Sequence, residues 1–206
     1  MTGLSTIHTM TLDGGIACLD FVNAGYDIQK NVMTERVHSY DDLLILAGRL
    51  YLLDKGLLAR LKAQALSNNE DAGKALAAAR DARRVMYDIF SAIALDQLGE
   101  VDPHQLFLLN QLFAEALPFR KLAVVNDLPG FVYQFTKGDL MPPVWCAVLS
   151  AYDLLQQDNL GYIKQCHRCS WLFPDTTKNH RRKWCSMNSC GSALKGSRYY
   201  RRKKVM

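Results

Sequence analysis

Residues 166–190 read CHRCSWLFPDTTKNHRRKWCSMNSC, and the spacing of the cysteines in this stretch governs the reading of the whole chain. Two residues separate Cys166 from Cys169, four separate Cys185 from Cys190, and fifteen join the pairs. A tetrahedral zinc ion takes four soft ligands, and two tight cysteine pairs can each form a knuckle presenting two thiolates. Cys166, Cys169, Cys185 and Cys190 are therefore the predicted ligands of one zinc ion. His167 and His180 are nearby competitors, but Cys169 already completes its knuckle. A catalytic zinc keeps a position open and four cysteines leave none, so the expected role is structural. The apolar run Trp171-Leu172-Phe173, the polar turn 174–180 and the basic run Arg181-Arg182-Lys183-Trp184 suit a hairpin that returns the second knuckle to the first. So short a module buries little apolar surface, and metal binding is what would fold it.

Charge divides the chain at the same place. From Asn159 to Met206 there are twelve Lys and Arg against the single acid Asp175, a net +11, while the residues before them carry −6. A basic end on an acidic body points to polyanion binding by one part and a different task for the other. The predicted division is 1–158 and 159–206. After Cys190-Gly191 a helix is expected, with Lys195, Arg198, Arg201 and Arg202 on one broad face and Tyr199 and Tyr200 beside them. With Arg181, Arg182 and Lys183 these form the candidate nucleic-acid surface; the alternative is a solvated basic terminus, since Gly196 weakens the helix.

The body is expected to be mainly α with two short β-hairpins. Leu4, Thr6, His8, Met10 and Leu12 alternate, Gly14-Gly15 could turn the chain, and Ile16 to Val22 would pair back. Ser39 and Asp42 form a capping-box pattern before a helix reaching about Lys62, the polar cluster Ser67–Asp71 reads as a loop, and Ala75–Leu98 reads as the longest helix. Asp102-Pro103 opens another helix to about Ala116. Residues 120–126 and 131–136 flank Asp127-Leu128-Pro129-Gly130 as a second hairpin, and Pro142-Pro143 opens a final helix to Leu155.

With 49% apolar residues in 206, a sizeable core needs no disulfides. No run approaches the length of a membrane span and the N-terminus lacks a signal pattern, so a cytoplasmic protein without membrane attachment is expected. The isolated Cys18 and Cys146 read as core residues. The sequence has no glycine-rich phosphate loop, nucleophile elbow or paired histidines on a helix face, so no enzyme is predicted. The only polar cluster for a ligand in the body is Asp20, Asn23 and Arg36, and the first two also fit a turn that satisfies local backbone groups.

The run Cys166-His167-Arg168-Cys169-Ser170-Trp171-Leu172-Phe173, with Asp175 to Asn179, Arg181-Arg182, Lys183-Trp184-Cys185-Ser186-Met187 and Cys190-Gly191, resembles the CGNR zinc finger. Cys18-Leu19-Asp20-Phe21-Val22-Asn23 is similar to the opening motif of the ABATE domain, which precedes that finger in its family. The resemblance implies a bacterial, stress-induced transcription regulator whose finger binds duplex DNA and whose larger domain binds a small ligand. Ser192 and Ala193 stand where the motif has Asn and Arg, while Lys195 matches a common basic position. If that arginine reads a base in the family, this chain lacks it. The residues themselves leave open a DNA-binding regulator whose body senses a ligand or forms a homodimer, an RNA-binding module, and a protein-interaction module with a structural zinc.

Overall fold

The computed structural model describes residues 5–25 and 34–192. Among them the protein is mainly helical: α1 (Ala17–Asn23), α2 (Tyr40–Arg49), α3 (Lys55–Ser67), α4 (Asn69–Ala94), α5 (Pro103–Ala116) and α6 (Pro142–Leu155). Two antiparallel hairpins complete it, β1 (Arg120–Val125) with β2 (Leu128–Tyr133), and β3 (Ile163–Gln165) with β4 (Leu172–Pro174). No helix among the described residues is long and apolar enough to cross a membrane.

At the centre lies α1, with Cys18 to Asn23 all buried. It packs on α4 and α6, and the Cys18 N–H donates to Ser150 Oγ of α6 at 3.1 Å. This corrects the expectation of a hairpin over residues 4–22. A short continuous apolar run fits a buried helix as well as a buried strand, and the partners decide. The upstream alternation is instead a turn in which Met10 N–H donates to the Thr6 carbonyl at 2.8 Å, burying Ile7 and Met10. Gly15, at φ +64°, lets the chain enter α1, and a Cβ on Gly14 would lie 2.7 Å from Asp20 Oδ1.

The predicted helix from Ser39 to about Lys62 is two helices. The capping box of Ser39 and Asp42 starts α2 as expected, but Tyr51 turns at φ +55° and Asp54 caps α3, accepting from Leu57 N–H at 2.9 Å. The predicted loop at 67–71 shrinks to Asn68, which ends α3 and caps α4, so α4 begins at Asn69. The proline-opened helices α5 and α6 start and stop where read. Buried nearly all round, α6 serves as a core helix.

The second hairpin lies where predicted, with a shorter loop. Asn126 and Asp127, at φ +51° and +62°, make a two-residue turn, and Leu128-Pro129-Gly130 belongs to β2. Both residues left-handed is the turn that matches strand twist, and Asn and Asp tolerate it. In the finger, β4 pairs with β3, so the two strands bracket the first knuckle. The expected partner, the basic run 181–184, is not a strand; its Lys183 carbonyl accepts from His167 N–H at 3.1 Å.

Candidate metal centre and nucleic-acid interface

The first knuckle is a tight turn between β3 and β4. Cys166 N–H donates to the Trp171 carbonyl at 2.8 Å and Ser170 N–H to the Cys166 carbonyl at 3.0 Å, with Ser170 left-handed at φ +61°. The second is a wide helical turn over Met187–Gly191, closed by Gly191 N–H on the Ser186 carbonyl at 3.0 Å. These turns bring all four ligand sulfurs within 4.8 Å of one another. Cys169, Cys185 and Cys190 have Sγ separations of 3.6, 3.7 and 3.6 Å. Four thiolates at a zinc–sulfur distance of about 2.3 Å around a tetrahedron stand about 3.8 Å apart, so the cage fits zinc. It is far from the roughly 2.0 Å of a disulfide, and all six cysteines are free. The site holds one structural zinc ion, as the spacing predicted.

Asp175 organises the loop between the knuckles. Only 1% exposed, it accepts at Oδ1 from Thr177 N–H (3.0 Å) and Oγ1 (2.6 Å), and at Oδ2 from Arg182 N–H (2.7 Å). Burial opposes its charge, but the hydrogen bonds from Thr177 and Arg182 prevail and hold its carboxyl below the ordinary carboxylate range. The sequence reading took Asp175 as a charge and as part of the finger's resemblance but gave it no structural role, although Asp-Thr-Thr carries the signal of an Asx turn. His180, 46° in φ, bonds through Nδ1 with the Asp175 carbonyl at 2.9 Å and stacks on Tyr162 at 3.7 Å between centroids. Neither it nor His167 joins the cage.

Of the candidate nucleic-acid residues, Arg181 and Lys183 are exposed beside the second knuckle. Arg182 turns inward between them. Its Nε donates to the Trp184 carbonyl at 2.8 Å, its Nη2 to the Cys185 carbonyl, and its guanidinium lies 4.7 Å from the centre of the Phe173 ring. It thereby ties the second knuckle to β4. Lys195, Arg198, Arg201 and Arg202, and with them the predicted basic helix, lie outside the described residues. Ser192 Oγ donates to the Asn188 carbonyl at 2.6 Å, finishing the turn that carries Cys190.

The candidate ligand residues are dispersed into three packing tasks. Asp20 accepts from Gly14 N–H at 2.7 Å, and burial pushes its carboxyl up to about 6 against the hydrogen bonds from Gly14 and Gly15. Asn23 forms a closed pair with the finger: its Nδ2 donates to the Leu172 carbonyl at 2.9 Å and its Oδ1 accepts from Leu172 N–H at 2.8 Å. Arg36, 2% exposed, donates to Ser5 Oγ at 3.0 Å and the Thr34 carbonyl at 3.2 Å, and its guanidinium sits 5.4 Å from the Trp171 ring centre. Two further contacts went unforeseen: Tyr87 of α4 donates to the Ser170 carbonyl at 3.0 Å, and Gln165 donates to Ser91 Oγ at 2.8 Å. The finger is thus fastened to α1 and α4, and its buried residues continue the core of the body.

Residues 162–203 match the model of the CGNR zinc finger, and residues 15–158 match that of ABATE, described as a putative stress-induced transcription regulator. No curated protein matches the chain. Since the second model alone spans more than half of the sequence, the chain belongs to the ABATE family, with a CGNR zinc finger following the family's domain.

Proposed function

We propose that the protein binds duplex DNA through the zinc finger and acts as a transcription regulator whose helical body senses a small ligand. The observation that supports this most is the pair Arg181 and Lys183, exposed beside the second knuckle of a metal-folded module that is fastened to the body. Cations held on a rigid turn meet phosphates with less ordering cost than cations on a free tail. In the sequence, Lys195, Arg198, Arg201 and Arg202 add to the positive charge of the same module, and the family description supports a regulatory role.

For the ligand, a groove between α2, α3 and α4 is the better candidate than the Asp20, Asn23 and Arg36 cluster, whose polar atoms are engaged in packing. Its volume is about 460 Å³, with Leu44, Ala65, Ala72 and Leu76 on its walls and the ion pair Asp41–Lys62 (2.6 Å) at its rim. That is the size and character of a small-molecule site.

Selection of the zinc-loaded protein from a random duplex pool near physiological salt tests the reading, because only specific contacts persist where phosphate attraction is weakened. An enriched motif is expected. With about five phosphate contacts, log affinity falls against log salt with a slope near −4.5. A pool that stays random, with RNA competing better than duplex, would transfer the surface to single-stranded RNA.

A further inference from the structure

The β1–β2 hairpin presents an apolar surface that no described part of the chain covers. Leu122, Val124 and Phe131 are 70%, 78% and 64% exposed, and Leu128 is exposed at the tip. The register sets Leu122 opposite Phe131 and Val124 opposite Pro129, so these four share one face with Tyr133. The charged residue on that face, Arg120, sits at the base, paired with Asp153 and lying 4.7 Å from the centre of the Phe131 ring. Such a face suits neither a polyanion nor an acidic peptide. A two-stranded hairpin standing alone in water is also marginally stable, and further strands are its usual remedy.

Its two outer edges are unlike. Gln134 N–H donates to the Phe119 carbonyl, and antiparallel ladders alternate inward and outward pairs. Lys121, Ala123 and Val125 therefore bond to β2, while the backbone groups of Arg120, Leu122 and Val124 point away from it. The same alternation puts Pro129 among the outward residues of β2, where it has no N–H to offer. Proline closes that edge to pairing. The β1 edge keeps all its donors, and among the described residues no strand pairs with it.

We propose that β1 pairs antiparallel with β1 of a second copy of this chain, joining the two hairpins into a four-stranded sheet across a twofold axis. A strand that meets its own copy antiparallel is self-complementary, as a twofold interface requires. Centred on Leu122, the pairing sets Lys121 against Ala123 of the second copy, so like charges do not meet. In that register Leu122 meets Leu122 of the second copy and Val124 lies against the Arg120 stem on the same face, so the joint shields the flanks of exposed apolar side chains while it pairs the outward N–H and carbonyl groups of β1.

Sedimentation of the full zinc-loaded chain across concentrations up to about 100 µM tests this, since dimers follow mass action. The unmodified protein should be dimeric at the upper end. Val124→Pro removes an outward N–H without touching the ladder to β2, and Leu122→Glu places a charge in the joint. Both variants should be monomeric with unchanged helical circular dichroism. Hydrogen exchange on the unmodified chain decides even where a variant misfolds: the Leu122 and Val124 amides should gain about tenfold protection as concentration rises through the dimer transition. A wild type that stays monomeric, variants that stay dimeric, or exchange independent of concentration would each overturn the assignment; the first would give the arm to a different partner.

Discussion

In the helical body, Phe21, Phe90 and Leu149 are buried by other apolar side chains, whereas in the finger Cys166, Cys185 and Cys190 are buried around an ion. The body has an interior of its own. The finger has a metal, a few aromatic residues and what it borrows: Leu172 is satisfied by Asn23 of α1, Ser170 by Tyr87 of α4, and Trp171 lies beside Arg36. Two sources of order thus meet in one continuous core. The zinc ion fixes the local turns, and the contacts with the body fix where the module points. On the proposed function, a surface built this way would be aimed by the domain behind it, and a ligand in that domain would have a physical route to the surface.

Removing the metal is the severest test of that division. Zinc contributes roughly 10–16 kcal/mol to finger peptides at neutral pH, more than the contacts of so small a module supply. Cys185→Ser, or chelation, should abolish nucleic-acid binding and the near-ultraviolet signal of Trp171 and Trp184 while α1 to α6 persist by circular dichroism. Loss of the helices in the same transition would show that body and finger fold as one cooperative unit. Next in size is Asn23→Ala. It orphans the buried N–H and carbonyl of Leu172 together, costing about 2–6 kcal/mol at 1–3 for each group. Calorimetry should show the loss, and zinc should be surrendered to a competing chelator more readily, because the closed pair holds β4.

The seam also carries a pH dependence. Glu35 accepts from Arg83 Nη2 and from the N–H groups of Arg36 and Val37, the last two at 2.9 and 2.8 Å. Burial alone would raise its carboxyl, but the Arg83 hydrogen bond and charge prevail, so its folded value lies below the ordinary 4.5. A carboxylate depressed on folding lends stability that is fully present above its unfolded value and disappears as pH falls through the folded one. Glu35→Gln should therefore be less stable than wild type at neutral pH, and the two denaturation curves should converge in acid. A constant difference at every pH would mean that the substitution acts through packing alone.

What could be read in advance follows the range of the interaction that decides it. Helices α5 and α6 were legible because Asp102-Pro103 and Pro142-Pro143 set their starts locally. The zinc cage was legible because knuckles are made by neighbours in sequence, so spacing is geometry. Helix α1 was not, since Ile16 to Val22 suits either regular structure and only α4 and α6 choose between them. In the second hairpin, Pro129-Gly130 outweighed the true turn at Asn126-Asp127; the proline is tolerated in β2 because its missing N–H faces outward. Asn23 looked like a ligand residue because its partner, Leu172, lies 149 positions away. No local pattern reveals such a pair.

The smallest expected effect separates the two classes of cysteine. Burial pushes the thiols of Cys18 and Cys146 up to about 12, so almost none of either is thiolate at neutral pH, and the thiolate is the reactive form. Cys18→Ala should change stability by no more than about 1 kcal/mol and leave zinc content and nucleic-acid binding as they were. With the metal in place, no cysteine should react rapidly with a thiol reagent. After chelation, Cys166, Cys169, Cys185 and Cys190 should react together, while Cys18 and Cys146 wait for unfolding of the body. If the core thiols react in step with the other four, losing zinc opens the centre of the molecule, and the borrowed contacts at Asn23 and Tyr87 support α1 and α4 as much as they support the finger.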